Sequence, residues 1–289
     1  MIRLALGTVQ FGLPYGIANQ LGQVSRAEAK AMLQIASARG VDTLDTAIAY
    51  GESEACLGEV GVDDFKVVTK LPSIPKGCLD LSEWVKQQVE SSLSRLGVSN
   101  VYGLLLHRSG DLLGPNGRSL YQALESLKDK GLVKKIGISI YSPDELELLT
   151  TNFHFDLVQA PFNLLDRRLL SSGWMQKLKD GGVEIHTRSA FLQGLLLINR
   201  SDIPPKFLPW NGILKMWHDW LEDNNVSALQ ASLAFPLSLT QIDRVVVGAD
   251  STSQLAQILS AANKLLQADL PDIYCDDENL INPAKWNQL

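Results

Sequence analysis

A strand-then-helix period repeated eight times restricts the fold of this chain more than any other feature. Short runs rich in Val, Ile and Leu occur at Ile2–Leu6, Val41–Asp45, Lys66–Thr69, Val101–Leu106, Lys135–Ser139, Asp156–Gln159, Val183–Thr187 and Arg244–Val247. Each leads through a polar loop into a longer helical period. Near-continuous apolar runs of this length suit strands covered on both faces, and strands joined through helices run parallel. Eight such units in roughly 250 residues predict an α/β fold, a (β/α)8 TIM barrel forming a single domain over residues 1–289. The rival is a doubly wound sheet, which carries a G-x-G-x-x-G turn after its first strand. Here that turn reads Leu6-Gly7-Thr8-Val9-Gln10-Phe11-Gly12 and does not match, so the barrel is preferred.

The helices mark their own ends. Ser25 followed by Glu28 predicts a capping box, and Gly40 a left-handed stop. Asp80 with Glu83 opens a helix whose apolar face is Trp84, Val85, Val89, Leu93 and Leu96, and Gly97 closes it. Ser142-Pro143-Asp144-Glu145 places a cap, a first-turn proline and first-turn acids in succession. Ser251 with Gln254 opens the last helix, with the stripe Leu255, Ile258, Leu259, Ala262 and Leu265.

Composition excludes several classes. Hydrophobic residues make up 45% and charged residues 20%, a globular balance. The net charge is −6 and no run of Lys and Arg builds a basic face, which argues against a nucleic-acid partner. The longest apolar runs, such as Gly194 to Ile198, are far too short to span a bilayer, and no signal-peptide apolar region follows Met1. Cys56, Cys78 and Cys275 have neither metal-site nor redox spacing, and the four histidines show no H-x-x-x-H. No metal and a reduced, cytoplasmic setting are expected.

Four residues carry the chemistry. Asp45 ends the second strand, Tyr50 lies in the following loop, Lys70 ends the third strand and His107 the fourth. Barrel enzymes place their chemistry at the C-terminal ends of the strands, so all four reach one rim. Singly, each has a bland reading: a cap, a core-edge aromatic, a solvated strand end, a buried imidazole. Together an acid, a phenol, an amine and an imidazole suit protonation of a carbonyl oxygen, which points to carbonyl–alcohol redox chemistry. Ser139 and Gln159 end the fifth and sixth strands, Arg188 and Ser189 follow the seventh, and Gly248 follows the eighth.

At these residues the chain resembles the aldo-keto reductase superfamily, in a bacterial-type branch. The D-T-A-x-x-Y-G string at Asp45 to Gly51 is specific. Thr69-Lys70 and Leu105-Leu106-His107 follow in the family's order, and Leu4 to Thr8, Gly137-Ile138-Ser139 and Gly194-Leu195 agree. The resemblance implies a monomeric barrel without a Rossmann domain that reduces aldehydes or ketones with a nicotinamide cofactor. The family's N-terminal hairpin plug is not expected here. In the implied mechanism Tyr50 is the general acid. Lys70 lowers its pKa from the ordinary value near 10, Asp45 holds Lys70, and His107 orients the carbonyl.

Cofactor contacts are likewise implied by the resemblance. Thr8 is an implied cofactor contact, and Ser139 and Gln159 match residues that hold the nicotinamide carboxamide, with Ile140 where many relatives have Asn after Ser139. Arg188 stands where many relatives stack a Tyr on the nicotinamide, and a strand-end salt bridge is its equal alternative. The pyrophosphate is expected at Ser189 to Gly194, including Phe191 and Gln193, and at the helix N-terminus near Ser251. Gly248, Asp250, Ser251 and Gln254 form the implied adenosine loop. Many relatives use Arg or Lys where this chain has Asp250; a carboxylate would repel a 2′-phosphate and could accept from a ribose 2′-hydroxyl, whereas the Ser251 and Ser253 hydroxyls could serve a phosphate. The resemblance implies NADP(H) and the local chemistry leans to NAD(H), so the choice stays open.

The substrate wall is expected from the loops after strands one, two, four and seven, with Phe11 and Tyr15 in the first loop and the longest insertion between Phe191 and Asn225. Trp210 in its Pro-rich turn is the pocket or lid candidate, whereas Trp217, Trp220 and Leu221 have core spacing. The acidic tail from Leu270 to Leu289 either folds over the rim or frays. A small carbonyl or sugar-like substrate is expected. Two other readings are a nicotinamide-binding, redox-sensing regulatory subunit and a Schiff-base aldolase using Lys70. The sequence does not fix the oligomeric state, and a monomer is compatible with it.

Overall fold

Alternating strands and helices close on themselves. In the computed structural model, residues 2–288 apart from 18, 20 and 265 are described. The elements run β1 (Leu4–Gly7), α1 (Val9–Gly12), α2 (Arg26–Ala38), β2 (Thr43–Asp45), α3 (Ser53–Val60), β3 (Lys66–Leu71), α4 (Leu81–Leu96) and β4 (Val101–Leu106). They continue α5 (Gly117–Asp129), β5 (Val133–Ser139), α6 (Asp144–Asn152), β6 (Leu157–Pro161), α7 (Arg168–Ser171), α8 (Trp174–Asp180) and β7 (Glu184–Arg188). The last are α9 (Asn211–Asn224), α10 (Ala228–Ser238), β8 (Arg244–Val247), α11 (Thr252–Ala262) and α12 (Glu278–Ile281). All eight strands are parallel and hydrogen-bonded in sequence order, and β1 pairs with β8 to close the barrel. The expected (β/α)8 barrel is therefore observed, and no hairpin precedes β1 among the described residues.

Strand limits differ from the sequence expectation by a residue or two. β3 runs on to Leu71, β6 to Pro161 and β7 to Arg188, while β1 and β2 begin later, at Leu4 and Thr43. Register decides this: Pro161 still faces Arg188 across β6 and β7, and Leu71 faces Leu106.

Alternation along the strands splits the apolar residues in two. The large core lies between barrel and helices and includes Leu44, Val67, Leu104, Ile136 and Ile185. A small cluster of Val68, Leu105 and Leu157 forms apart from it. Half-buried Tyr102 packs against it; its hydroxyl donates to Glu184 Oε2 at 2.7 Å, and the buried His186 Nε2 meets Glu184 Oε1 at 2.7 Å. No helix among the described residues is long and apolar enough to cross a membrane.

Ser25, Asp80 and Ser251 accept from the backbone N–H three residues on, as expected. Gly40 and Gly97 take positive φ at the ends of α2 and α4. The box at Ser25 is only half formed. Glu28 does not turn back to Ser25; its carboxylate accepts from Thr252 N at 2.5 Å and ties α2 to the start of α11. Trp84 is only half-buried on the face of α4 that hides Val85, Val89, Leu93 and Leu96. Leu265 lies outside the described residues.

Candidate active site

A cavity of about 720 Å³ opens at the C-terminal ends of the strands. It lies within the range of small-molecule and cofactor sites. Asp45, Tyr50, Lys70 and His107 all line it, as do Thr8, Ser139, Gln159, Arg188, Ser189, Phe191, Gln193, Gly194, Gly248, Asp250 and Gln254. Ser251 does not. Its hydroxyl is engaged as the cap of α11, accepting from Gln254 N at 3.2 Å.

The inner end is an ion pair under a phenol. Lys70 Nζ donates to Asp45 Oδ2 at 2.7 Å and to Thr46 O at 2.8 Å, and both side chains are buried. Gln159 Nε2 donates to the other carboxylate oxygen, Oδ1, at 2.6 Å. The ammonium lies 5.2 Å from the centre of the Tyr50 ring. His107 meets that ring edge-on, with centroids 5.8 Å apart.

Local backbone explains why these groups converge. Ile48 N donates to Lys70 O and His107 N to Leu71 O, so both loops are stitched to the end of β3. Tyr50 sits where two chain segments almost touch. A Cβ on Gly12 would lie 1.8 Å from Tyr50 O, so only glycine fits there. Ser53, at the start of α3, donates to Thr8 O at 2.8 Å, and its oxygen also meets the Thr8 and Thr46 hydroxyls. This buried network joins the ends of β1 and β2 to the helix behind Tyr50.

Electrostatics follow from burial. Desolvation pushes the Tyr50 phenol well above its ordinary value, and the Asp45 carboxylate adds to the rise. The expected lowering by Lys70 is therefore not found, because that ammonium is committed to Asp45 and Thr46. Burial lowers the Lys70 pKa, against the opposing pull of Asp45. Burial, then the nearby Lys70 charge, brings His107 down to about 4, so its ring is neutral at pH 7.

Arg188 makes no ion pair among the described residues. Its guanidinium lies 4.8 Å from the Tyr141 ring centre and donates to Ile140 O at 3.0 Å. Ser189, Leu192 and Gln193 after β7 all take positive φ, a conformation costing about 1–3 kcal/mol each. That loop turns tightly into the cavity wall, and Gln193 Nε2 reaches the Tyr15 hydroxyl at 2.9 Å.

The residues present fit a nicotinamide dinucleotide. Gln159 must point its nitrogen at Asp45, since a carboxylate only accepts, and this turns Oε1 the other way. That buried oxygen has no partner among the described residues, nor does Gln10 Oε1. Both residues line the cavity, and each oxygen can accept an N–H or O–H from a bound molecule. Gly248 leaves the space Gln10 occupies: a Cβ there would lie 2.5 Å from Gln10 Nε2.

Several lining residues escaped sequence reasoning: Gln10, Asn19, Tyr141, Gln257, Asn282 and Asn287. Gln10 carried a signal, a lone amide between Val9 and Phe11. Tyr15 is in the wall as expected, but Phe11 is buried core. Trp210 is not a lid. Its Nε1 donates to Asp277 Oδ2 at 2.9 Å and so pins the tail. The tail folds over the rim, with Leu280, Ile281 and Trp286 buried and Pro283 and Ala284 in the cavity wall. Trp217 is fully buried and stacks on half-buried Trp220, as their spacing predicted.

Comparison with known proteins agrees with this geometry. Residues 3–273 match the model of the aldo/keto reductase family. An uncharacterized oxidoreductase, YqkF, of Bacillus subtilis is 25% identical over 256 residues, covering 82% of each chain. An NADH-specific methylglyoxal reductase of Escherichia coli is 23% identical, covering 78% of this chain and 79% of its own. The holo form of aldo-keto reductase AKR11C1 from Bacillus halodurans shares the fold, with a TM-score of 0.76, 20% identity and coverage of 95% of this chain and 94% of its own. The chain belongs to the aldo/keto reductase family and is an NAD(P)H-dependent oxidoreductase.

Proposed function

We propose that this protein reduces a small aldehyde or ketone to the alcohol, with Tyr50 as general acid. The reading is carried by one juxtaposition: a protonated phenol over a buried Lys70–Asp45 pair, beside a neutral His107, in one end of the cavity. Bound reduced nicotinamide would supply the hydride. Gln159 Oε1 and Ser139 would hold its carboxamide, with Thr8, Gln193, Gly194 and Gly248 along the rest of the cavity.

The chain's own part is to place and protonate the carbonyl oxygen. A neutral imidazole at His107 has one N–H to donate to that oxygen and adds no charge of its own. As the oxygen becomes an alkoxide it is a far stronger base than a phenolate. Tyr50 can therefore yield its proton even with a raised pKa. The Arg188 charge favours the phenolate left behind. Reprotonation from solvent completes the cycle.

The substrate reading is a small polar or sugar-like carbonyl compound, in keeping with a methylglyoxal reductase among the relatives. The test is loss of nicotinamide absorbance over a panel of aldehydes, ketones and aldoses, with both NADH and NADPH. Turnover of at least one carbonyl is expected. Tight dinucleotide binding with no turnover across the panel would overturn the reading.

A further inference from the structure

We propose that the outer end of the cavity selects NADH over NADPH, with Asp250 as the discriminating residue. This rests on the proposed placement of the nicotinamide beside Tyr50 and Gln159, which leaves the adenosine ribose for the opposite end.

Among the described residues, the cations that line the cavity are Lys70 and Arg188, and both belong to the inner end. Lys70 is bound to Asp45, and Arg188 rests on Tyr141 and Ile140 O. The outer end is lined by Gln10, Asn19, Asp250, Gln254 and Gln257, with no cation among them. Asp250 is fixed there. Asn19 Nδ2 donates to its Oδ1 at 3.2 Å, and its backbone N–H donates to Gln254 Oε1 at 2.8 Å.

A phosphate on the ribose would bring a charge of about −1.5 to −2 against that carboxylate. Part of the backbone's attraction is already used. Helix N-termini attract anions through free N–H groups, and at α11 two of these are engaged. Thr252 N is taken by the Glu28 carboxylate and Gln254 N by Ser251 Oγ. The Asp250 carboxylate thus lines the end where a 2′-phosphate would need a counter-charge. A free 2′-hydroxyl meets the opposite situation, because a carboxylate accepts its hydrogen bond.

The test is equilibrium titration of the whole protein with NADH and with NADPH, followed by tryptophan fluorescence, for the wild type, Asp250→Ser and Asp250→Arg. Thermal unfolding checks that each variant is folded. NADH should bind wild type at least about tenfold more tightly than NADPH. Asp250→Ser should narrow that ratio, and Asp250→Arg should reverse it. Equal or tighter NADPH binding by wild type would overturn the inference, as would a ratio in Asp250→Ser within about twofold of wild type. Failure of both nucleotides to bind would remove the dinucleotide site itself, and this inference with it. Binding of both with the wrong preference removes only the role of Asp250.

Discussion

Gln159 donates from Nε2 to Asp45 Oδ1 at 2.6 Å, on the carboxylate oxygen that Lys70 leaves free. β6 and β2 stand across the barrel from each other, so this bond couples the wall facing the cavity to the ion pair beneath Tyr50. Gln159→Leu should strand one oxygen of a buried carboxylate and remove the free Oε1. The expected cost is about 1–3 kcal/mol in urea unfolding, with a weaker affinity for the dinucleotide. Unchanged values of both quantities would show that Gln159 does neither job.

Tyr50→Phe should lower carbonyl reduction by about 10²–10⁴-fold and leave dinucleotide binding near wild type. The raised phenol pKa adds a sign to the reverse reaction, since alcohol oxidation needs Tyr50 as phenolate to accept a proton. Oxidation by wild type should therefore be weak at neutral pH and climb as pH rises. Steady-state rates in both directions against pH check this, and a flat alkaline limb for oxidation would contradict it.

Much of this was legible in the sequence because it follows from period and strand ends. Asp45, Lys70 and His107 sit at or just beyond the ends of apolar runs, and a barrel brings such ends to one rim whatever the details. Helix caps were legible where a side chain bonds its own helix, as at Ser25 and Asp80. Glu28 was misread because a capping box is a local pattern, and the carboxylate found a better donor on a distant helix at Thr252. Gln10, Asn19 and Asn282 reach the cavity only through loop geometry, which no periodicity encodes. Burial was the hardest to foresee. Placing Lys70 near Tyr50 suggested a lowered phenol pKa, but the sign turns on desolvation and on where the ammonium's bonds go.

His107 gives a stability signature with a definite direction. Its folded pKa of about 4 lies below the unfolded value near 6.5. Between these values the unfolded chain takes up the proton and the folded chain does not, so stability falls as pH drops through this window. The loss should reach at most about 3 kcal/mol. His107→Asn should be less sensitive over the same interval, and the difference between the two proteins' urea midpoints from pH 6.5 to 4 measures it.

Glu54 anchors the helix that follows Tyr50. It is buried and accepts from Thr69 Oγ1 at 2.7 Å, from Ser92 Oγ at 2.6 Å, and from Arg95 Nε and Nη2 at 2.9 and 2.6 Å. Glu54→Ala strands two buried hydroxyls and should cost about 2–4 kcal/mol. Glu54→Gln keeps the shape and should cost less. Because α3 holds Ser53 against Thr8 and Thr46, the alanine variant should also lose turnover at temperatures where it remains folded. Full activity there would separate the helix anchor from the placement of Tyr50.

Trp286 is the point at which the tail can be released. Its ring meets Phe207 edge-on at 4.8 Å, and its Nε1 donates to Leu280 O at 3.0 Å. Its carbonyl accepts from Lys206 Nζ at 3.1 Å. Only 3% of the residue is exposed, so truncation to Ala should cost about 3–5 kcal/mol if the tail stays docked. The tail has an alternative, because it can detach without opening the barrel. Global stability would then fall by less than the cavity cost, while protease would cut first after Pro271. Since Asn282, Pro283, Ala284 and Asn287 line the cavity, detachment should raise KM for the carbonyl more than it lowers kcat. Limited proteolysis and steady-state kinetics of Trp286→Ala distinguish the two cases. A protease-resistant tail with unchanged KM would show that residues 277–288 are packed for stability alone.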